Sequence, residues 1–425
     1  MPKKRHILII GGGILGCSAA FALSQRTHCK VTLLEANTLA AATTSSAAAL
    51  LTRARHKPVI ADLVRETFTA MAQLNTLLDQ PLPYKKVGSL HIACSRESSN
   101  QLDMMAMLAA EQQLPVHNLS MAEVRQKSPW LSPPDGARAL FMPEDGFIDP
   151  YQLAMAYRQG AAACARQSGA ELRILQNTRV EKITFEPASA HPACVTGVKL
   201  ADGQLIDADI VIDAAGPWST LLANAVGVDL AMAPVRSHYW ITGKLSSVPP
   251  DSPMVILPDA RAYARPEVGH LLFGLRDYQP VYMSPEQLPN ELSGFCFGHD
   301  PEGWQALEDG YEDLAGFFPE IDRVPVEHYI SGISSYTPDG SPLAGFLTDD
   351  KGKIKLEGFI ALTGCSGGGI GMSGGLGRLA AELALDEPLF TDLKPLALNR
   401  FGSVDPLSDD FQRRCALARM AKRSG

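Results

Sequence analysis

The sequence predicts an α/β fold in which one domain, built on a sheet of buried strands, is assembled from three separated stretches of chain. A second domain is inserted between those stretches. Three observations lead there. An apolar strand, a glycine turn, a small-residue helix, a second apolar strand and an acid follow one another between His6 and Glu35. A later apolar strand runs into Asp213-Ala214-Ala215-Gly216. A glycine run over residues 364–371 separates the apolar segment GFIAL from another helix of small residues.

Residues 6–10 are short, apolar and β-branched, the pattern of a strand covered on both faces. Residues 11–16 form the glycine turn, 17–24 (CSAAFALS) read as a helix, and 30–34 as a second buried strand ended by Glu35. Helical periodicity over 61–78 is broken by Pro81 and Pro83, 87–93 alternates like a strand, and 101–113 is again helical. The proline-rich passage 128–135 reads as a surface connection. Asp149 then caps a helix over 151–168, with Pro150 in its first turn. Short strands follow as LRIL, VEKITF, CVTGVKL and DADIVIDAA. Residues 234–330 mix strands (HYWITG, HLLFGL) with acidic helices and loops, and a helix is expected over 376–385. The expected division is 1–80, 145–228 and 330–402 for the first domain, 81–144 and 229–329 for the second, and 403–425 as a tail. Residues 411–425 carry five basic residues and no acid, and read as a frayed terminal helix rather than a docking surface.

The 425 residues are 46% hydrophobic and 20% charged, enough apolar material for packed cores. Thirty-eight basic against 46 acidic residues give a net charge of −8, which argues against nucleic acid as a partner. The ten histidines and eight cysteines are scattered without metal-ligand spacing, so no metal is expected. The early apolar run is too short for a signal core, and no later stretch is long enough to span a bilayer. Free cysteines fit a reducing compartment, and a cytoplasmic protein is expected.

Gly11-x-Gly13-x-x-Gly16 with Glu35 after the second strand points to a dinucleotide. Gly11 permits the turn, Gly13 lets the backbone approach a pyrophosphate, and Gly16 lets the helix pack on the strand. The helix start at Ile14 and Leu15 offers N–H groups and a positive dipole end, and Glu35, followed by Ala36, suits ribose hydroxyls. The hydroxyls of Thr44, Ser45 and Ser46 are placed for a diphosphate or a flavin ring. Ala215 and Gly216 are small where a cofactor would need space. Gly367, Gly368, Gly369 and Ile370 can aim several N–H groups at one electron-rich atom, such as a flavin carbonyl whose charge grows on reduction.

The stretches IIGGGILG, VGSLHIA, EDGFIDPYQLAMA, AAGPWS, VRSHYWIT, YARPEVGHLLFG, SYTPDGSPLAG, the late glycine run and NRFG occur in an order and spacing that resemble the FAD-dependent D-amino-acid oxidase and sarcosine oxidase family. Within it the chain most resembles the flavin module of dimethylglycine and sarcosine dehydrogenases. The resemblance implies a glutathione-reductase-type FAD-binding Rossmann domain with an inserted α+β substrate domain on an antiparallel sheet. It implies FAD as cofactor, with Val180 among its contacts. It also implies oxidation of the C–N bond of a small amine or amino acid, N-methylglycine-like or a D-amino acid, the imine then hydrolysing. An electron-transfer partner or partner subunit is a further implication.

The departures carry information. Where many amino-acid oxidases read Gly-Leu-Arg-Pro, this chain reads Gly332-Ile333-Ser334-Ser335, so the carboxylate-binding arginine is replaced by Ser334. The lysine that sarcosine oxidases carry in the late glycine loop falls at Gly371, and a cysteine used for covalent flavin attachment falls at Gly332. Histidine attachment would fall near Arg55-His56, out of register, so a non-covalent flavin is expected. The open carboxylate anchor leaves Arg53, Arg55, Arg265 and Arg276 as candidates, because a guanidinium grips a carboxylate bidentately. His56, Tyr239, Tyr263 and Tyr336 are candidate walls or amine-orienting groups. The oxygen-activating lysine of the oxidases matches Leu271 or Leu272, with Arg276 several residues further on, so a dehydrogenase is expected. The competing reading is a flavin-binding regulatory or scaffold subunit without amine oxidation.

Overall fold

The computed structural model describes residues 4–187, 193–292, 294–348 and 352–422. Its central sheet has six strands in the order Leu343–Gly345, Phe359–Thr363, Ile210–Asp213, Arg5–Ile10, Cys29–Leu34 and Glu171–Leu175. All neighbours run parallel except Leu343–Gly345, which is antiparallel to Phe359–Thr363. Helices Ile14–Ser24, Pro58–Leu77, Pro150–Ser168 and Gly369–Ala384 cover one face. The opposite face, through Leu8, Val211 and Phe359, packs on a small sheet of Val180–Glu186, Ala193–Leu200, Leu205–Asp207 and Leu356–Glu357. Burial on both faces is why these strands read as unbroken apolar runs.

A second, eight-stranded sheet runs Val326–Tyr336, Ala233–Thr242, His270–Leu275, Ala262–Glu267, Met254–Leu257, Ser89–Ala93, Arg138–Met142, His117–Leu119. It is antiparallel except where Met254–Leu257 lies parallel to Ser89–Ala93. Helix Trp304–Ala315 contributes Ala306 and Leu314 to the core on one of its faces.

Four expectations need correction. The glycine run is not a loop ahead of a helix: Gly369–Ala384 is one helix that begins inside it. Glycine disfavours helix locally, but here close packing requires it. A Cβ on Gly375 would lie 2.4 Å from Leu63 Cα, and one on Gly377 would lie 2.2 Å from Ser18 Oγ. The passage 128–135 is not merely a surface connection, because Trp130 and Leu131 are buried and Trp130 meets Phe318 edge-on with ring centroids 5.5 Å apart. The boundary at 330 falls inside the strand Val326–Tyr336, so that strand cannot be divided between domains. Within the stretch 411–425 read as a frayed terminal helix, the described residues are not frayed. Helix Asp409–Ala421 docks Phe411, Cys415 and Ala416 against Ala233, Val235 and Tyr336, while residues 423–425 lie outside the described structure. None of the described helices is long and apolar enough to cross a membrane.

Candidate functional site

A cavity of about 720 Å³ opens where Arg5–Ile10 and Ile210–Asp213 end, and the strands Ala233–Thr242 and Val326–Tyr336 also contribute to its wall. Such a crevice at the carboxyl ends of a parallel sheet is where α/β folds bind ligands. At one end it is lined by Gly11, Gly13, Ile14, Leu15, Glu35 and Ala36. Gly11 has φ +100°, and a Cβ there would lie 2.5 Å from Ala214 O. Gly16 does not line the cavity: a Cβ on it would lie 1.9 Å from Gly11 O, so it serves the turn. Helix Ile14–Ser24 has no side-chain cap from its own N-cap residue, and Thr44 Oγ1 accepts from Ile14 N at 3.0 Å. Glu35 lines the same end while accepting from Gly12 N at 2.7 Å and Asn37 N at 2.8 Å, which fixes its carboxylate against the glycine turn. Val180 also borders the cavity.

The middle is walled by small groups, among them Ser46, Ala48, Ala49, Ala215 and Gly216. Ala40 and Ala49 hold left-handed backbone at φ 60° and 54°, strain of a kind that gathers at functional sites. Ser45 is exposed and donates to Ala42 O at 3.0 Å, so it does not join this wall. The turn carrying Ala215 is tied by Asp213, whose Oδ1 accepts from Ala215 N at 3.1 Å and Ser219 Oγ at 2.7 Å.

Burial raises the Asp213 carboxyl to about 6. Its native pKa lies above the ordinary carboxylate value, so the folded protein binds more protons than the unfolded chain between pH ~4 and 6. Stability from this group therefore falls as pH rises through that window, by about 3 kcal/mol in all. Asp213→Asn should remove this slope. Measured by urea midpoints, the variant should gain on the parent between pH 4 and 7, and a constant difference would refute it.

At the far end the cavity is lined by Gly367, Gly368, Gly369, Ile370 and Gly371, the uncapped start of helix Gly369–Ala384. Two helix N-termini thus face one cavity, a donor set suited to a dinucleotide with a diphosphate at one end and an electron-rich ring at the other. Gly332 is also here, and a Cβ on it would lie 2.6 Å from Ser46 Cβ, leaving no room for cysteine.

Arg55, Tyr239, Tyr263, Tyr336 and Arg276 line this end. Burial pushes the Tyr239 phenol up to about 12 and raises Tyr263 too, so both stay protonated. Burial also lowers Arg276 to about 10, helped by Arg419. Three other candidates are elsewhere. Arg53 lies over the Phe68 ring, 3.8 Å from its centroid, outside the cavity wall. His56 is exposed and off the cavity. Arg265 is consumed by Ala48 O at 2.8 Å, Glu267 and the Phe147 ring, and so braces the wall from behind. Leu271 and Leu272 are buried and do not line the cavity, whereas Arg276 does. The expectation of slow oxygen reaction rested on no cation reaching this end, and it loses that basis.

Sequence reasoning missed three residues. Arg419 and Lys422, from and just after the terminal helix, line the cavity, as does His238. The readable signal was the apolar set Phe411, Cys415 and Ala416 on one face of an otherwise charged helix. Lys422 Nζ donates to Ser366 O at 3.4 Å. Burial and then Arg276, Arg55 and Arg419 bring its pKa down to about 7. Burial opposes the charge of Arg419, yet Tyr336 and Asp277 hold its pKa above the ordinary value. His238, 3.0 Å from Tyr329 OH through Nδ1, is pushed down to about 3 by burial and stays neutral.

A family model described as DAO, FAD dependent oxidoreductase, matches residues 6–383. Human mitochondrial sarcosine dehydrogenase is 24% identical over 402 residues, which are 94% of this chain but 42% of that protein. The chain thus spans less than half the length of that relative. Glycine oxidase of Geobacillus kaustophilus is 25% identical over 408 residues, covering 94% of this chain and 98% of the oxidase. The solved L-proline dehydrogenase from P. horikoshii has the same fold, with a TM-score of 0.77 at 20% identity, covering 94% of this chain and 98% of that one. With the family model spanning nearly all of the double-sheet structure and its cavity, the chain belongs to the DAO family of FAD-dependent oxidoreductases.

Proposed function

We propose that this protein oxidises the C–N bond of a small amine or amino acid bearing a carboxylate. The observation that carries the reading is the charge at the glycine-run end of the cavity. Arg55, Arg276, Arg419 and Lys422 line it, and no carboxylate among the described lining residues joins them there. A guanidinium holds a carboxylate in a fixed orientation, which presents the adjacent carbon rather than the acid group to the reaction centre. Arg55 is the residue assigned that hold.

Gly11, Gly13, Ile14, Leu15 and Thr44 would hold the diphosphate of FAD, Glu35, Ala36 and Val180 its adenosine end, and Gly367 to Ile370 the pyrimidine edge of its ring. The bound flavin supplies a two-electron acceptor. This chain's own residues orient and desolvate the amine. Tyr239 and Tyr263, kept as phenols by burial, offer hydroxyls that orient without charge. The amine must be neutral to be oxidised. The burial that, with neighbouring arginines, lowers Lys422 would act on a substrate ammonium in the same way, favouring the neutral amine without a dedicated base.

The flavin is held without a covalent bond on this reading, since the two attachment positions are Gly332 and an exposed His56. Acid precipitation should leave a colourless pellet and a yellow supernatant, and colour retained in a His56 peptide would contradict it. The function itself is tested by anaerobic mixing with a panel of sarcosine, glycine, proline and D- and L-amino acids. At least one carboxylate-bearing amine should bleach the flavin, and bleaching by none of them would favour a regulatory subunit.

A further inference from the structure

The chain that leaves strand His270–Leu275 of the eight-stranded sheet reaches back to the Glu35 end of the cavity, where Asn290, Glu291 and Leu292 form part of the wall. Its path is fixed on the way. Arg236 N donates to Val281 O at 3.0 Å and Met283 N to Pro234 O at 3.2 Å, so the strap starts from strand Ala233–Thr242. The turn Pro285–Gln287 follows, with Ser284 Oγ accepting from Glu286 N at 3.3 Å. Proline at 280, 285 and 289 fixes φ, which lowers the entropy lost when the strap is ordered.

Two ties then cross to the side of the six-stranded sheet. Arg179 Nη1 donates to Asn290 Oδ1 at 2.8 Å and its Nη2 to Asn290 O at 2.6 Å. Trp218 Nε1 donates to Pro289 O at 3.0 Å. Arg179 and Trp218 line the cavity themselves, so wall meets wall at this closure. The place is set by Thr178, one residue before Arg179, whose N donates to Glu35 O at 2.8 Å. Asn290 is exposed, and Arg179 and Trp218 are half-buried, so water competes for these bonds. One such bond shifts an equilibrium by about two- to twelvefold. Ties of that size keep a strap closed most of the time and let it open without global unfolding.

We propose that the strap is a clasp over the adenosine end of bound FAD, and that Arg179 and Trp218 hold it shut and so set the rate at which the cofactor leaves. An adenosine seated under Asn290 to Leu292 withdraws only when both ties have parted. The clasp concerns retention of the cofactor and not the choice of amine. It rests on the flavin being held without a covalent bond.

The test dilutes FAD-loaded protein into flavin-free buffer and follows the rise of free-flavin fluorescence. Arg179→Met keeps the aliphatic stem but loses both bonds, and should release FAD about fivefold faster than the parent or more. Asn290→Ala loses one of the two bonds and should fall between them. Arg179→Met combined with Trp218→Phe, which lacks the indole N–H, should release fastest. The absorption spectrum should stay that of the parent, because the glycine-run end is untouched. Arg138→Met, which breaks an exposed ion pair with Asp103 away from the cavity, should release FAD at the parental rate. Equal release from the parent and the double variant, or the same acceleration in Arg138→Met, would overturn the clasp. Acid precipitation separates this proposal from the reading beneath it. Colour kept in the pellet sinks the non-covalent reading and the clasp with it, whereas a yellow supernatant with unchanged release sinks the clasp alone.

Discussion

Gly13→Asp should give a folded, colourless protein. Gly13 is the N-cap of helix Ile14–Ser24 with φ −71° and ψ −173°, a backbone that aspartate adopts without strain. Aspartate is also a favoured N-cap residue, so the helix should not suffer. Its Cβ would stand 3.3 Å from Thr44 Oγ1, close but tolerable. The carboxylate would occupy the N–H groups at the helix start and set a negative charge where the diphosphate must lie. At an effective dielectric near 20, two like charges about 4 Å apart repel by about 4 kcal/mol. FAD affinity should therefore fall by roughly a thousandfold or more. The check is the ratio of flavin to protein absorbance after purification, with circular dichroism to confirm folding. A variant as yellow as the parent would show that the glycine turn does not carry the diphosphate.

Arg55→Met should leave flavin content unchanged and cut kcat/KM by roughly a hundredfold to a thousandfold. Losing a buried charged partner of a bound carboxylate removes about 2–5 kcal/mol. Part of that loss should appear in kcat, because a misplaced carbon no longer meets the acceptor in the reactive geometry. Arg55→Lys should recover only a fraction, since an ammonium lacks the bidentate fork. Steady-state kinetics with the best amine from the bleaching panel decide it. An Arg55→Met enzyme within threefold of the parent would move the carboxylate anchor away from this residue.

Most of the scaffold could be read from the chain because its signals are local. Arg5–Ile10, Cys29–Leu34 and Ile210–Asp213 are covered on both faces and so advertise themselves as continuous apolar runs. Gly11 is legible because its turn demands a left-handed residue. What could not be read depends on who arrives from far away. Nothing near Arg265 in sequence says that Ala48 O will take its guanidinium, and nothing near Arg53 says that Phe68 will lie under it. Conversely, Arg419 and Lys422 look like ordinary terminal charges until Phe411 and Cys415 seat their helix on Ala233–Thr242. The start of helix Gly369–Ala384 was hidden for a different reason. Its glycines are poor local helix formers, chosen for the neighbours they let approach.

The terminal helix has a consequence for how the protein is made. One wall of the cavity is laid down at Gly11 and another at Lys422, so no partial chain on the ribosome contains a complete pocket. At about 5–20 residues per second, roughly 20–80 seconds separate synthesis of the first wall from that of the last. In the later part of that interval, once Val235 has been made, the nascent chain must carry the apolar face of Ala233 and Val235 without the helix that will cover it. Chaperone occupancy, premature cofactor capture and the reading of peptide tags fused after residue 422 all become questions about the pocket itself.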